Sequence, residues 1–300
     1  MQENRPPDSL PEKSLHMDVN YFPGCTLHGT AHDYDAGIAA VFRALGINLV
    51  ELDDWNCCGA SSAHVLHPEA SVQLPARNLL LASEYDRPLL TPCAACFHRL
   101  KLCQAHLQKH PEDHANASDI SEVEVLHINE MLLRDEVRQR IQASIKEPLA
   151  GLKAVPYYGC LTVRPPKAMQ HPHPEDPREM DSILKMLRAE VVNWSYKTDC
   201  CGGNLAMTRQ DVVRRLSGNL FEAALEAGGE VIVTDCPMCQ ANLDTREKEI
   251  ERERNVRFQM PVVYITELLA VAMGLPETGS WWRKHLVDPV PLLRSKGLAA

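Results

Sequence analysis

Short apolar runs recur along the chain: Val19–Phe22, Ile47–Leu52, Pro88–Leu90, then Val155–Tyr158, Glu190–Val192 and Val231–Val233. Their length and flanks predict buried strands. Between them the apolar period lengthens to that of a helix. Ile38, Val41, Phe42 and Leu45 follow the i, i+3, i+4, i+7 pattern and are closed by Gly46. In the second half Asp176 predicts a helix cap, with Pro177 at the first position and Glu179 behind it. A further helix is predicted from near Thr208 and Asp211, through Val212, Leu216 and Leu220, to Gly228-Gly229. Strand–helix–strand alternation of this kind implies an α/β fold with a mostly parallel sheet.

Cysteines follow these strands twice in the same order. Cys25 is followed after 31 residues by Cys57-Cys58, and after 34 more by Cys93-Ala-Ala-Cys96. Cys160 is followed after 39 residues by Cys200-Cys201, and after 34 more by Cys236-Pro-Met-Cys239. The flanks repeat too: Asp54–Gly59 matches Lys197–Gly202, Leu89–Cys93 matches Ile232–Cys236, and Val125–Leu132 lines up with Val263–Leu269. This is an internal duplication. It predicts two pseudo-symmetric lobes, each a small mostly parallel sheet flanked by helices. The divisions are an extension at 1–18, a first domain at 19–150, a second at 151–275 and a tail at 276–300.

Composition narrows the chemistry. At 45% apolar and 24% charged, the 300 residues fit a globular chain, and a formal charge of −9 offers nothing to nucleic acid. No apolar run approaches the ~20 residues of a membrane helix, and the first twenty residues lack the apolar core of a secretion signal. The expectation is a cytoplasmic protein without direct membrane insertion. Eleven cysteines in a reducing compartment then point to metals or redox chemistry rather than to disulfides.

Cysteines placed between a strand and a helix gather at the carboxyl edge of a parallel sheet, where such folds bind ligands. A helix amino end there favours thiolate. Four thiolates satisfy a structural zinc or a cubane cluster, yet each half offers five. The fifth is a spare, a redox thiol, or the ligand of a cluster needing more than four. Two iron–sulfur sites, one per half, are the first reading, with zinc and bare thiol exchange behind it. No G-x-G-x-x-G loop or P-loop follows a strand, so the chain has no evident flavin, nicotinamide or nucleotide site of its own.

The Cys-Cys-Gly at 57–59 and 200–202, with its flanking spacings, resembles the duplicated CCG domain of the B subunit of heterodisulfide reductase from about Tyr21 to Leu275. The departure is the 34-residue gap in both halves, one short of the family pattern. The resemblance implies two noncubane [4Fe–4S] clusters, one held by Cys25, Cys57, Cys58, Cys93 and Cys96, the other by Cys160, Cys200, Cys201, Cys236 and Cys239. It also implies an oxidoreductase that cleaves a disulfide between them or, in reverse, oxidises thiols or a persulfide. The partners implied are a ferredoxin-like iron–sulfur C subunit and a flavin-containing A subunit. A non-catalytic electron-transfer subunit of a respiratory complex and a zinc-stabilised interaction module are the alternatives.

The remaining features read as structural. Cys103 is expected as a packed core thiol. His28, His64 and His67 are loop histidines, of which His28 has the option of supplying a proton. Arg164–Pro174, with His171 and His173, reads as a solvated proline-stiffened loop whose Arg164 could line the cavity. Arg246–Arg254 reads as a solvated helix face. The tail, with Trp281-Trp282, docks either on the body or on a partner.

Overall fold

The computed structural model describes residues 17–60 and 63–298. The sequence extension at 1–18 therefore lies almost wholly outside the described residues. Two four-stranded sheets are present, and every pairing in them is parallel. The first contains β1 (Met17–Tyr21), β2 (Ile47–Glu51), β3 (Leu89–Leu90) and β4 (Val125–Leu126), in the order β2-β1-β3-β4. The second contains β5 (Lys153–Tyr157), β6 (Glu190–Val191), β7 (Val231–Thr234) and β8 (Val262–Tyr264), in the order β6-β5-β7-β8. The two orders are the same, so the duplication seen in the cysteines extends to the topology. In each lobe the order reverses between the first and third strands, which opens a crevice at their carboxyl ends.

Helix bounds moved where side chains had other partners. The helix predicted to start at Pro177 spans Glu179–Met186, because Asp176 is taken by the Lys197 ammonium at 3.0 Å rather than capping. The helix placed near Thr208 spans Gln210–Glu226. The run 246–254 is not simply a solvated face. It ends the helix Pro237–Arg254, and Glu247 and Ile250 within it are buried. Glu247 accepts the Met260 amide at 2.9 Å, and burial pushes its carboxyl up to about 8. His171 likewise leaves the solvated loop to meet Glu179 at 3.2 Å, whereas His173 stays exposed.

The lobes join reciprocally. The helix after β1, His32–Ala44, packs on the helix after β8, Ile265–Ala272; the helix after β4, Ile128–Leu132, packs on Glu179–Met186, which follows β5. Tyr34 and Tyr264 stack across this junction with ring centres 3.9 Å apart, and the Tyr34 hydroxyl donates to the Asp235 carbonyl at 3.0 Å. Asn129 donates to the Asp235 carboxylate from the other lobe. The larger of two apolar clusters runs through both lobes, and the second is built mostly from second-lobe residues such as Tyr157, Phe221 and Leu243.

The tail docks on the body. Trp281 and Trp282 are buried, the Leu286 and Val287 amides donate to Asp244 at 2.8 and 3.0 Å, and Lys296 pairs with Glu230 at 2.8 Å. His285 meets Glu267 at 2.9 Å, with both side chains fully buried, and its other ring nitrogen meets the Val262 carbonyl at 3.1 Å. Burial alone disfavours the imidazolium, but Glu267, with Asp244 and Asp33, outweighs it and raises the pKa to about 9. Folding thus raises this pKa, so its stabilisation is complete below about pH 6.5 and fades as pH climbs through about 9. His285→Gln is expected to lower thermal stability most at pH 6, by roughly 2–3 kcal/mol. The deficit against the parent shrinks towards pH 9.5, as followed by melting curves across that range.

Candidate iron–sulfur site

Each cysteine group sits where a strand ends. Cys25 lies in the short helix Gly24–His28 after β1, and Cys57-Cys58 lie in the loop after β2. Cys93 is the residue before the helix Ala94–Leu107, with Cys96 in its first turn. In the second lobe Cys160 follows β5 and Cys200-Cys201 follow β6; Cys236 precedes the helix Pro237–Arg254, whose first turn carries Cys239. Pro237 suits that start, where no amide donor is required.

The glycine of each Cys-Cys-Gly turns the chain back on its sulfur. Gly59 and Gly202 have φ of +78° and +82°, and their amides point at the Cys57 and Cys200 sulfurs at 3.5 and 3.3 Å. Just before the first cysteine of each lobe the backbone comes closer still. A β-carbon on Gly24 would sit 2.6 Å from the Cys96 sulfur, and one on Gly159 would sit 3.1 Å from the Cys239 sulfur.

All five cysteines of the first half line one cavity of about 650 Å³, together with Thr26, Ala60, His64, Val65 and Ala95. All five of the second half line another of about 20 Å³. Gly203, Asn204 and Met238 border both, so the two quintets lie on either side of one shared wall. The Cys201 and Cys239 sulfurs are 3.6 Å apart, about the spacing of two thiolates on one tetrahedral ion.

The thiols share protons. Hydrogen bonds from Cys57 and Cys96 pull Cys58 down to about 3 against its burial, with the Ala60 amide and Arg99 assisting. Cys57 and Cys96 are raised in exchange, chiefly by bonding to Cys58. Cys93 is lowered by its bond from Cys96. In the second lobe the bond from Cys160 lowers Cys200 to about 6, and the bond from Cys239 lowers Cys201. Thiols coupled in this way release their protons when a metal ion binds them. Five soft sulfurs lining one cavity suit iron or zinc. Cys103 stands apart, buried with its thiol on the Val72 carbonyl at 3.5 Å, and burial pushes its pKa up to about 12.

The other sequence candidates divide. His64 lines the first cavity, and its Nδ1 contacts the Gly59 carbonyl at 3.1 Å. His28 pairs with Glu51 at 3.1 Å, and His67 is exposed. Arg164 does not line either cavity, because Thr198 and Glu175 hold its guanidinium. Arg99 and Asp235 escaped the sequence reading. Asp235 is fully buried beside His127, Asn129, Glu130 and Tyr158, and burial holds its carboxyl well above the usual range. Its signal was available, since it replaces Pro92 in the repeat.

A model of the CCG cysteine-rich domain matches the chain at residues 19–101 and again at 154–244. The chain belongs to the CCG cysteine-rich domain family. The two CCG spans contain all ten paired cysteines. Over 284 residues, 93% of the chain, it is 29% identical to the complete 8-methylmenaquinol:fumarate reductase membrane anchor subunit of Wolinella succinogenes. It is 25% identical to a protein of Archaeoglobus profundus that is named as like the B subunit of heterodisulfide reductase, covering 84% of the chain and 89% of that protein. It is also 25% identical to the B subunit of the ferredoxin:CoB-CoM heterodisulfide reductase of Methanosarcina mazei, covering 85% and 89%. The fold of the chain resembles a solved structure of a hypothetical protein from Helicobacter pylori (TM-score 0.68, 10% identity), covering 96% of the chain and 54% of that protein. Among the described residues no helix is long and apolar enough to cross a membrane.

Because Gly24 has both a φ of +73° and a sulfur in its path, Gly24→Ala is expected to destabilise the protein by roughly 1–3 kcal/mol. Gly279→Ala, which meets open space, leaves the melting temperature within about 2 °C of the parent. Parallel melting curves of the two variants check this.

Proposed function

We propose that this CCG protein is an iron–sulfur redox subunit of a heterodisulfide reductase-like complex, with one noncubane [4Fe–4S] cluster at each cysteine quintet and a disulfide or thiol substrate at the first cavity. The reading rests on one observation: two complete quintets border a common wall, and the first of them opens into space that its sulfurs do not fill. When bound, such clusters supply one-electron redox steps and iron sites with affinity for thiolate sulfur.

The chain's own residues supply the rest. Gly24 and Gly159 let the backbone lie against the sulfurs, and the amides of Gly59, Gly202 and Gly203 point at cysteine sulfur, the kind of contact that tunes a cluster. Cleaving a disulfide to two thiols takes two electrons and two protons. His64 lines the first cavity with its Nδ1–H given to the Gly59 carbonyl, which leaves Nε2 as the atom that exchanges a proton there. Asn204 and Met238, shared by both cavities, define the surface against which a substrate would lie.

The chain carries no flavin or nucleotide loop, so a ferredoxin-like iron–sulfur partner, itself supplied by a flavin-bearing one, fits as the electron source. A second reading is favoured by the fumarate reductase relative, which aligns over its full length at 29% identity. There the chain would pass electrons within a respiratory complex without turning over a disulfide.

Anaerobic purification with metal and acid-labile sulfide analysis tests the cofactor assignment. About eight iron and eight sulfide per chain are expected, as two four-iron clusters require. Cys201→Ala should retain about half of the iron, and a folded, iron-free, zinc-bearing product would overturn the reading. Spectral change on adding a dithiol or disulfide separates the two functions: a response supports turnover, and its absence in the iron-loaded protein assigns the chain to electron transfer.

A further inference from the structure

Because the two sites are copies, each position around one has a counterpart around the other, and several of these pairs differ in charge. Before the double cysteine stand Asn56 in the first lobe and Asp199 in the second; before the Cys-x-x-Cys stand Pro92 and Asp235; three residues after its last cysteine stand Arg99 and Asn242. Asp235 points into the lobe junction, where Asn129 donates to its carboxylate. Asp199 is exposed, so solvent and salt screen it.

Arg99 is different in kind. It is only 8% exposed, one guanidinium nitrogen donates to the Ser71 carbonyl, and its buried Nε has no hydrogen-bond partner. Its counterpart Asn242 donates to the Cys201 carbonyl at 2.9 Å and to Ser217 at 3.2 Å, which shows where this helix position points: at the second residue of the cysteine pair. In the first lobe that residue is Cys58, and the guanidinium interacts electrostatically with it. A guanidinium stays protonated in proteins, so the charge is permanent. Each quintet adds the same set of sulfurs. Lys197, the buried cation three residues before Cys200 where the first lobe has Asp54, pairs with Asp176 and Asp181, so among the described residues Arg99 is the buried cation beside a quintet that has no carboxylate partner.

We propose that Arg99 sets the potential of the first site, making its cluster the more readily reduced of the two, so that electrons reaching the chain settle beside the open cavity. Reduction adds one negative charge to a cluster, and a fixed cation in a poorly screened interior stabilises that added charge. The second site, with Asn242 in place of the arginine and Asp199 at its rim, lacks this stabilisation. The inference rests on the two-cluster reading above. It assigns Arg99 a positioning role through the field at Cys58, not a contact with substrate.

The test is a reductive titration of the anaerobically purified holoprotein with dithionite, followed spectroscopically, with iron content measured on the same sample. Cys201→Ala identifies which signal belongs to the second site. In the parent the first-site signal is expected at the more positive potential. In Arg99→Gln, at the poise where the parent's first cluster is half reduced, its oxidised-to-reduced ratio should rise about tenfold, 59 mV for a one-electron couple. The second signal should not move, and Arg99→Lys, which keeps the charge, should recover most of the shift. An unmoved first signal in Arg99→Gln, an equal shift of both signals, or Arg99→Lys behaving like Arg99→Gln would each overturn the proposal. Should Arg99→Gln not fold, the order of the two signals in the parent decides: a second-site signal at the more positive potential overturns it. Absence of iron from the parent is a separate result, and it strikes the cofactor assignment rather than the role of Arg99.

Discussion

Sulfur crowded against sulfur is the constraint around which both lobes are arranged. A parallel sheet with its first and third strands adjacent delivers three chain segments to one edge, and each lobe spends all three on cysteine. The backbone has to give way to these side chains. That is why glycine stands at 24 and 159, where any β-carbon would press on a thiol, and at 59 and 202, where the chain reverses. Proton sharing among the thiols leaves alternating raised and lowered sulfurs, an arrangement that a cation or cluster relieves by replacing the shared protons.

The second organising fact is the reciprocal exchange of helices between the lobes. Helices of the two lobes pack on one another at both ends of the junction, and of the buried polar groups between them, Asp235 with Asn129 and His127, Asp235 is adjacent to Cys236. The junction that joins the copies is therefore also the frame of the second site. Breathing of the lobe interface would be felt at the cysteines directly, with no relay needed.

Much of this was legible in the sequence because it is carried by covalent order. The repeat of ten cysteines, the alternation of strand and helix, and the family resemblance all depend on spacing, and spacing survives in a bare string of letters. Side-chain competition does not. Asp176 looked like a helix cap until the Lys197 ammonium claimed it, and His171 looked solvated until Glu179 stood opposite. Arg246–Arg254 showed alternating charge, but Glu247 turns inward to cap the Met260 amide. Arg99 was overlooked because an arginine on a helix is ordinarily a surface residue, and only its buried position beside Cys58 sets it apart. Whether the tail met body or partner was likewise undecided until His285 was found against Glu267.

That last contact reaches beyond the tail. Glu267 belongs to the second repeat, where its carboxylate receives the Tyr264 amide at the start of a helix, and Glu130 does the same for His127 in the first. Only the later copy has been sunk deep enough to need a neutralising imidazolium, and that imidazolium comes from the tail, beyond the end of the second repeat at 275. A fragment ending at residue 275 would leave Glu267 a buried anion without its cation and uncover the helices His32–Ala44 and Ile265–Ala272, on which the Trp281 helix packs. The borders of the ancestral module are thus no longer the borders of an autonomous folding piece.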